Sequence, residues 1–335
     1  MVRGDKKRKV AVLGWYGHHN FGDELLLEGL RNLFKGWGVF PMTSNVTQNV
    51  PVANIEEINK CDLFVLGGGE LIETDKLFVS NYNFYSSKVS RLFHKTVNRL
   101  GMSWVRKIKV PKVILGCGVN AENMDVLDTS VIEALKQFDY IGLRDSTSVE
   151  MLKGISSLAD KVHLFHDLAF SVTFKKPKIC SGGFAVVIPT DRFTSKCDRG
   201  IRQTLLSIKS KDWLKKRLFD WSKAVFVPFG QEDNDDYETC RLLSSCAGNS
   251  EIVNPKDVTL QNVVDLVAHA NVVFSYRLHG LILAFMLRKK FEFYPYHWKL
   301  SRIYKTIKTL SVTKIVETQR IEYRKMLDCV FNVNN

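Results

Sequence analysis

The stretch Asn271-Val272-Val273-Phe274-Ser275-Tyr276-Arg277-Leu278-His279-Gly280-Leu281-Ile282-Leu283-Ala284-Phe285 decides the fold. Val272 to Phe274 form a short apolar run of the kind a strand buried on both faces requires. Leu281 to Phe285 continue as an apolar helix. Arg277, His279 and Gly280 therefore stand where a buried strand hands over to a helix. In an open α/β sheet, ligands bind beyond the carboxyl ends of strands, and anions meet helix N-termini there. An Arg and a His at that point, beside a Gly that can admit a ligand, point to an enzyme.

Working outward, apolar runs alternate with helical patterns along the chain, the signature of parallel sheet with crossover helices. The first half offers strands at Val10–Trp15, Leu63–Gly67, Lys112–Cys117, Tyr140–Arg144 and Val162–His166. A break follows at Lys175-Lys176-Pro177-Lys178 and Ser181-Gly182-Gly183. The second half restarts with Phe184–Pro189, Ala224–Phe229, Glu251–Asn254, Val272–Ser275 and Phe291–Tyr294. The expectation is an α/β protein of two Rossmann-like, doubly wound domains facing a cleft. Residues 1–178 form the first domain and residues 179–305 the second, which carries the Arg-Leu-His-Gly element. Residues 306–335 form a helical segment expected to pack back on the first domain.

The 335 residues, 45% of them hydrophobic, suffice for two cores of ordinary size. No apolar run approaches the roughly 20 residues that span a bilayer, and the basic N-terminus leads directly into a strand pattern, so the expected location is cytoplasmic. The seven cysteines are scattered, odd in number and without Cys-x-x-Cys spacing, which favours reduced thiols and argues against a zinc site. A formal net charge of +13 fits nucleic acid, an anionic membrane surface or an anionic substrate. Much of it lies in Lys88–Lys112 and Lys209–Lys223. In the second stretch Leu205, Ile208, Trp213, Leu214, Leu218 and Trp221 recur at roughly helical spacing among the lysines, either a solvated helix face or a surface that docks on an anionic membrane or polymer. No nucleic-acid-binding motif accompanies the charge, so nucleic acid is not expected as a partner.

Glycine-rich turns follow several of the expected strands. In Gly14-Trp15-Tyr16-Gly17-His18-His19-Asn20-Phe21-Gly22-Asp23-Glu24 the glycines at 14, 17 and 22 allow a tight turn and close backbone approach, with Asn20 and Asp23 available to cap the helix expected near Glu24; it reads as an anion cradle or as a structural turn. Gly67-Gly68-Gly69-Glu70 is costly in backbone entropy unless a ligand or the dihedrals need it. Gly116-Cys117-Gly118 repeats that signal weakly, with Cys117 a small buried residue. Arg144-Asp145-Ser146 offers either a bidentate anion clamp or an Arg–Asp pair that fixes a loop. Asp167, after the last strand of the first half, is either a domain-closing polar contact or a cleft carboxylate, and Gln231 and Asp233 lie in an acidic loop that is either solvated or, at the ligand end of the sheet, binds acceptor hydroxyls. Tyr296-His297-Trp298-Lys299 closes the series.

The ordered set of motifs at 14–24, 66–71, 142–148, 166–170, 227–236, 275–280 and 294–299 resembles the polysaccharide pyruvyl transferase family. The resemblance implies a GT-B-like fold. It also implies transfer of the pyruvyl group of phosphoenolpyruvate to two hydroxyls of a sugar, forming a cyclic ketal. On this chain Arg277 and Arg144 would hold the donor's phosphate and carboxylate, and His279 would move protons. Gly17, Asn20, Asp23, Gly68, Gly69, Glu70, Asp167, Gln231, Asp233 and Lys299 complete the expected binding set. Thr190-Asp191-Arg192 departs from the polar sequence many members carry there. No metal or other cofactor is expected beside the donor. The acceptor is expected to be a saccharide, anionic or lipid-linked, with peripheral contact at a membrane. A nucleotide-sugar glycosyltransferase and a non-catalytic carbohydrate-binding relative are the competing readings of the same fold.

Overall fold

The computed structural model describes residues 7–44, 47, 49–74, 77, 104–120, 127–175, 182–191, 200–230 and 236–331. The chain divides into two units. One comprises Met1–Gly17, Leu26–Val172 and Thr313–Asn335; the other comprises His18–Leu25 and Thr173–Val312.

The first unit is built on strands β1 (Lys9–Leu13), β2 (Gly38–Met42), β3 (Leu63–Gly67), β5 (Lys112–Cys117), β7 (Tyr140–Leu143) and β8 (Val162–Leu164). They form one sheet in the order β2-β1-β3-β5-β7-β8, with every pairing parallel. Two short strands, β4 (Ile72–Glu73) and β6 (Val119–Asn120), pair beside it. All of β3 and β7 and most of β1 and β5 are buried, as an uninterrupted apolar run in a parallel sheet demands. The expected limits of β3 and β5 coincide with the observed ones. Strand β2 was not foreseen. It carries Pro41, whose missing N–H confines it to an edge, and β2 is the edge strand.

The helix Val312–Phe331 packs within this unit through polar groups as well as apolar ones. Gln319 donates from Nε2 to the carbonyl of Asp167 at 2.8 Å, and Tyr140 donates its hydroxyl to Glu322 at 2.7 Å.

The second unit has a five-stranded parallel sheet in the order β11-β10-β9-β12-β13. Its strands are β9 (Ala185–Ile188), β10 (Ala224–Phe226), β11 (Ser250–Ile252), β12 (Val272–Ser275) and β13 (Lys290–Phe293). The helix Gly200–Leu218 covers one face. Leu214 and Leu218 are buried, and Trp213 meets the rings of Phe274, Tyr276 and Tyr294. Ile208 of the same helix is 53% exposed. Arg217 is not simply solvated: it stacks over Trp213 and pairs with Glu292 on β13. Among the described residues, no helix is long and apolar enough to cross a membrane. Most of the first basic stretch, Lys88 to Lys112, lies outside the described residues.

Candidate active site

In the second unit the decisive stretch forms a strand, a turn and a helix. Strand β12 ends at Ser275, whose hydroxyl accepts from the backbone N–H of Arg277 and donates to its carbonyl. Arg277 is the N-cap of the helix Leu278–Met286. Gly280 is required here for packing: a methyl group on it would overlap Ser275 Oγ and stand 2.7 Å from Ile188 Cδ1. The glycine expected to admit a ligand brings helix and sheet into close contact.

Arg277 does not reach freely into solvent. Its Nη2 donates to Asp236 Oδ1 at 2.5 Å and lies 3.5 Å from Asp191 Oδ1. Asp236 is fully buried, and it also accepts the backbone N–H of Asp191 on Oδ1 and that of Gly230 on Oδ2, each at 2.8 Å. Burial works against the Arg277 charge, but Asp236 more than restores it and holds the guanidinium above its ordinary pKa. Burial pushes Asp236 upward in turn, with Arg277 drawing it back.

The segment His18–Leu25 belongs to the same unit. Asn20 bridges to Gly230, Phe21 donates its N–H to the carbonyl of Phe229 at 2.8 Å, and the two phenyl rings lie 4.3 Å apart. Asn20 Oδ1 accepts the N–H of Gly22, and its carbonyl accepts the N–H of Asp23 as the helix begins. The half-buried ring of His279 lies against Gly22 so closely that any side chain at position 22 would overlap Nδ1. Two motifs more than 250 residues apart thus share one contact. Lys299 sits in the first turn of the helix Trp298–Thr309, its N–H donating to the ring of His297 at 3.3 Å, and that helix packs beside Leu278–Met286. Gln231 and Asp233 lie outside the described residues.

The first unit holds Gly17, Gly68, Gly69, Glu70, Arg144 and Asp167. Gly68 and Gly69 both adopt left-handed backbone, φ +77° and +75°, which glycine reaches without strain. The Gly68 N–H donates to Leu115 and the Gly69 carbonyl accepts from Gly118, so the glycine run knits two strand ends together. Gly17 likewise turns the chain, with Thr47 and Val50 packed against it.

Arg144 is only 3% exposed. Its Nη2 pairs with Glu70 at 2.9 Å, its Nε lies 3.8 Å from Asp145, and the guanidinium rests over Gly118, where a methyl group would stand 2.7 Å away. Asp145 meanwhile caps the helix Ser146–Lys153 by accepting the N–H of Ser148. This finding bears directly on the expected clamp. Glu70, itself expected to touch substrate, engages only Nη2; Arg144 Nε, like Arg277 Nε, is buried without a hydrogen-bond partner among the described residues. Asp167 is fully buried and caps a short 3-10 turn; burial raises its pKa to about 6. Its neighbour His166 has φ +69°, is 1% exposed, and finds no hydrogen-bond partner for either ring nitrogen among the described residues; burial lowers its pKa to about 4. Cys117 is buried, its thiol pushed up to about 12, so it is no nucleophile at neutral pH. Among the described residues, no group of three His, Cys, Asp or Glu could hold a metal ion.

Sequence reasoning missed Asp191, Asp236 and His166. Asp236 was one acid in an acidic run, and no local signal marks it as the one that turns inward. His166 stood beside a residue that was singled out, and a buried, strained His is invisible to periodicity.

Two parallel α/β sheets with crossover helices define the GT-B-like class. The chain is similar to UDP-GlcNAc 2-epimerase from Neisseria meningitidis bound to UDP-GlcNAc: 14% identity, 97% of this chain and 94% of that one covered, TM-score 0.50. It is also similar to the S. aureus protein MnaA solved with UDP: 9% identity, 93% and 90% covered, TM-score 0.50. At such identities the likeness concerns the fold alone. The chain belongs to the polysaccharide pyruvyl transferase family, which it matches over residues 20–297. No curated protein matches it.

Proposed function

We propose that the protein transfers the pyruvyl group of phosphoenolpyruvate to two hydroxyls of a saccharide, forming a ketal and releasing phosphate. Membership of the family supports the reaction class. The observation that carries the assignment to residues is the arrangement of Arg277 and His279 on one helix N-terminus, the first anchored by Asp236 and the second seated on Gly22.

In this reading Arg277 and the adjacent backbone N–H groups of the helix Leu278–Met286 hold the donor's anionic groups, with Lys299 adding charge. His279 delivers a proton to the methylene carbon, which becomes the methyl group. The first hydroxyl adds to the resulting oxocarbenium-like carbon and loses its proton. The bond from that carbon to the phosphate oxygen then breaks, phosphate departs, and the second hydroxyl closes the ketal. Of the two hydroxyl protons, one balances the proton given to carbon and the other leaves with phosphate. An imidazole that gives and recovers protons contributes about 10²–10⁴-fold to such a reaction. Donor binding falls to Arg277, while Arg144 and Glu70 maintain the strand ends of the first unit. No step in this reaction calls for a metal or a cofactor beyond the donor. The basic surface suits an acceptor that is anionic or anchored to lipid at a membrane.

Two measurements test the reading. Phosphoenolpyruvate is expected to raise the melting temperature where UDP and GDP do not. The His279→Ala variant is expected to lose about 10²–10⁴-fold in phosphate release with a saccharide acceptor. Stabilisation by a nucleotide and not by phosphoenolpyruvate would overturn the donor. Normal turnover by folded His279→Ala would remove the proton-transfer role.

A further inference from the structure

We infer that Asp236 is a positioning residue for Arg277: its buried carboxylate fixes the guanidinium in the orientation in which the donor meets it. The inference rests on the proposed role of Arg277 in donor binding.

The geometry is specific. Asp236 opens the helix Asp236–Ser244 and is entirely shielded from solvent, yet it carries three hydrogen bonds. One comes from the backbone of Gly230, beyond β10, one from the backbone of Asp191, beyond β9, and one from Arg277, beyond β12. These are three adjacent strands of the sheet, so one carboxylate ties three neighbouring loops together at their carboxyl ends. Two backbone N–H groups fix its plane, and a carboxylate fixed in plane fixes the cation that pairs with it.

Only Nη2 of Arg277 is engaged in this way. Its Nε is buried and has no hydrogen-bond partner among the described residues. A buried donor left open is costly to the free protein and is relieved when a ligand supplies an acceptor. Asp191 Oδ1, 3.5 Å from Nη2, is a second and longer contact on the same nitrogen. The long Arg side chain thus loses its rotamer freedom on folding instead of on binding, which is how pre-organisation raises the rate of a bound reaction.

Asp236 also places a negative charge beside an anion site, which weakens the attraction for the donor. The two effects oppose each other in binding, but only orientation acts on turnover. The signature of positioning is therefore a split. Asp236→Asn is expected to lower kcat by about 10–100-fold, the range for a misplaced catalytic partner, while KM for phosphoenolpyruvate changes by less than about tenfold. In a double-mutant cycle, Asp236→Asn added to Arg277→Ala is expected to cost no further kcat, because Asp236 acts through Arg277. A purely structural role predicts equal losses on both backgrounds, and that additivity would overturn the inference.

If Asp236→Asn fails to fold, Asp236→Glu keeps the charge and displaces it by one methylene. It is expected to show the same loss of kcat, and normal kcat would overturn the inference. A second readout does not depend on the donor. With nitrogen-labelled arginine side chains, the Arg277 Nε–H resonance, assigned by its loss in Arg277→Ala, is expected to report a guanidinium with hindered rotation in the wild type and free rotation in Asp236→Asn. Free rotation in both would overturn the inference. Hindered rotation in the wild type and none in the variant, with no phosphate release from phosphoenolpyruvate, would retain the positioning role and reject the donor.

Discussion

Each unit ends a buried parallel strand in an arginine, and the two arginines are paired differently. Arg144 follows β7 and is enclosed by Glu70, Asp145 and the backbone of Gly118, with 3% of its surface exposed. Arg277 follows β12, is pinned at one nitrogen by Asp236, and keeps 18% of its side chain open. Removing the guanidinium leaves a buried carboxylate uncompensated in either unit, Asp236 in one and Asp145 with the largely buried Glu70 in the other, whereas a lysine in place of Arg277 keeps the charge that Asp236 needs. On the proposed reading, the same residue type at the same topological place serves as frame in the first unit and as tool in the second.

The largest expected effect breaks or confirms that contrast. Arg144→Ala strands the carboxylates of Glu70 and Asp145, at an expected cost of about 3–5 kcal/mol, read as a fall in Tm on the order of 10 °C. Next comes Arg277→Lys, which keeps the charge but not the planar fork. Donor KM is expected to rise about 10–100-fold, with Tm nearly unchanged. Equal losses of Tm in the two variants would erase the distinction between frame and tool.

The sequence revealed β3, β5 and β12 to the residue, because a strand buried on both faces must be apolar throughout and nothing else interrupts it. It concealed β2, where Gly38 and Pro41 read as turn chemistry and only the edge position reconciles them with a strand. Arg277 and His279 were legible as chemistry at a strand end. What surrounds them was not. Arg144 meets Glu70 across 74 residues, and Asp236 is distinguished from its acidic neighbours only by which way the chain turns. Gly280 shows the same limit: that the glycine beside a His seats the helix on the sheet is visible only in the positions of Ser275 and Ile188.

Gly22 sharpens the second unit's side of the contrast. A methyl group there must displace the His279 ring, while Arg277 and Asp236 keep their pairing. Gly22→Ala is expected to lower kcat about tenfold while donor KM holds, since displacement of a catalytic group acts on the reacting geometry. A rise in KM with constant kcat would place His279 in binding instead of proton transfer.

The smallest expected effect lies in the first unit, at His166 and Asp167, and its sign follows from linkage. Burial lowers His166 to about 4 from 6.5, so between those values the unfolded chain binds more protons, and stability is lost as pH falls through that window. Burial raises Asp167 to about 6 from 3.8, despite attraction from Arg144 and with Asp145 adding repulsion. Between 3.8 and 6 the folded chain binds more protons, so its stability is lost as pH rises. Adjacent residues therefore oppose each other over nearly the same range. Asp167→Asn removes one side of that opposition while keeping an oxygen to cap the Ala169 N–H. The gain at pH 7 is partly offset by an amide N–H₂ that replaces a buried oxygen, leaving an expected net stabilisation of about 1 kcal/mol. That gain is expected to shrink below pH 6, to vanish near pH 5 and to become a small loss near pH 4, where Asp167 in the folded wild type is neutral and only the cost of the amide remains. The variant's Tm should consequently fall more steeply with acid than the wild type's, because the His166 slope is no longer opposed. Parallel Tm curves for the two proteins from pH 7 to pH 4 would show that Asp167 does not titrate in this range.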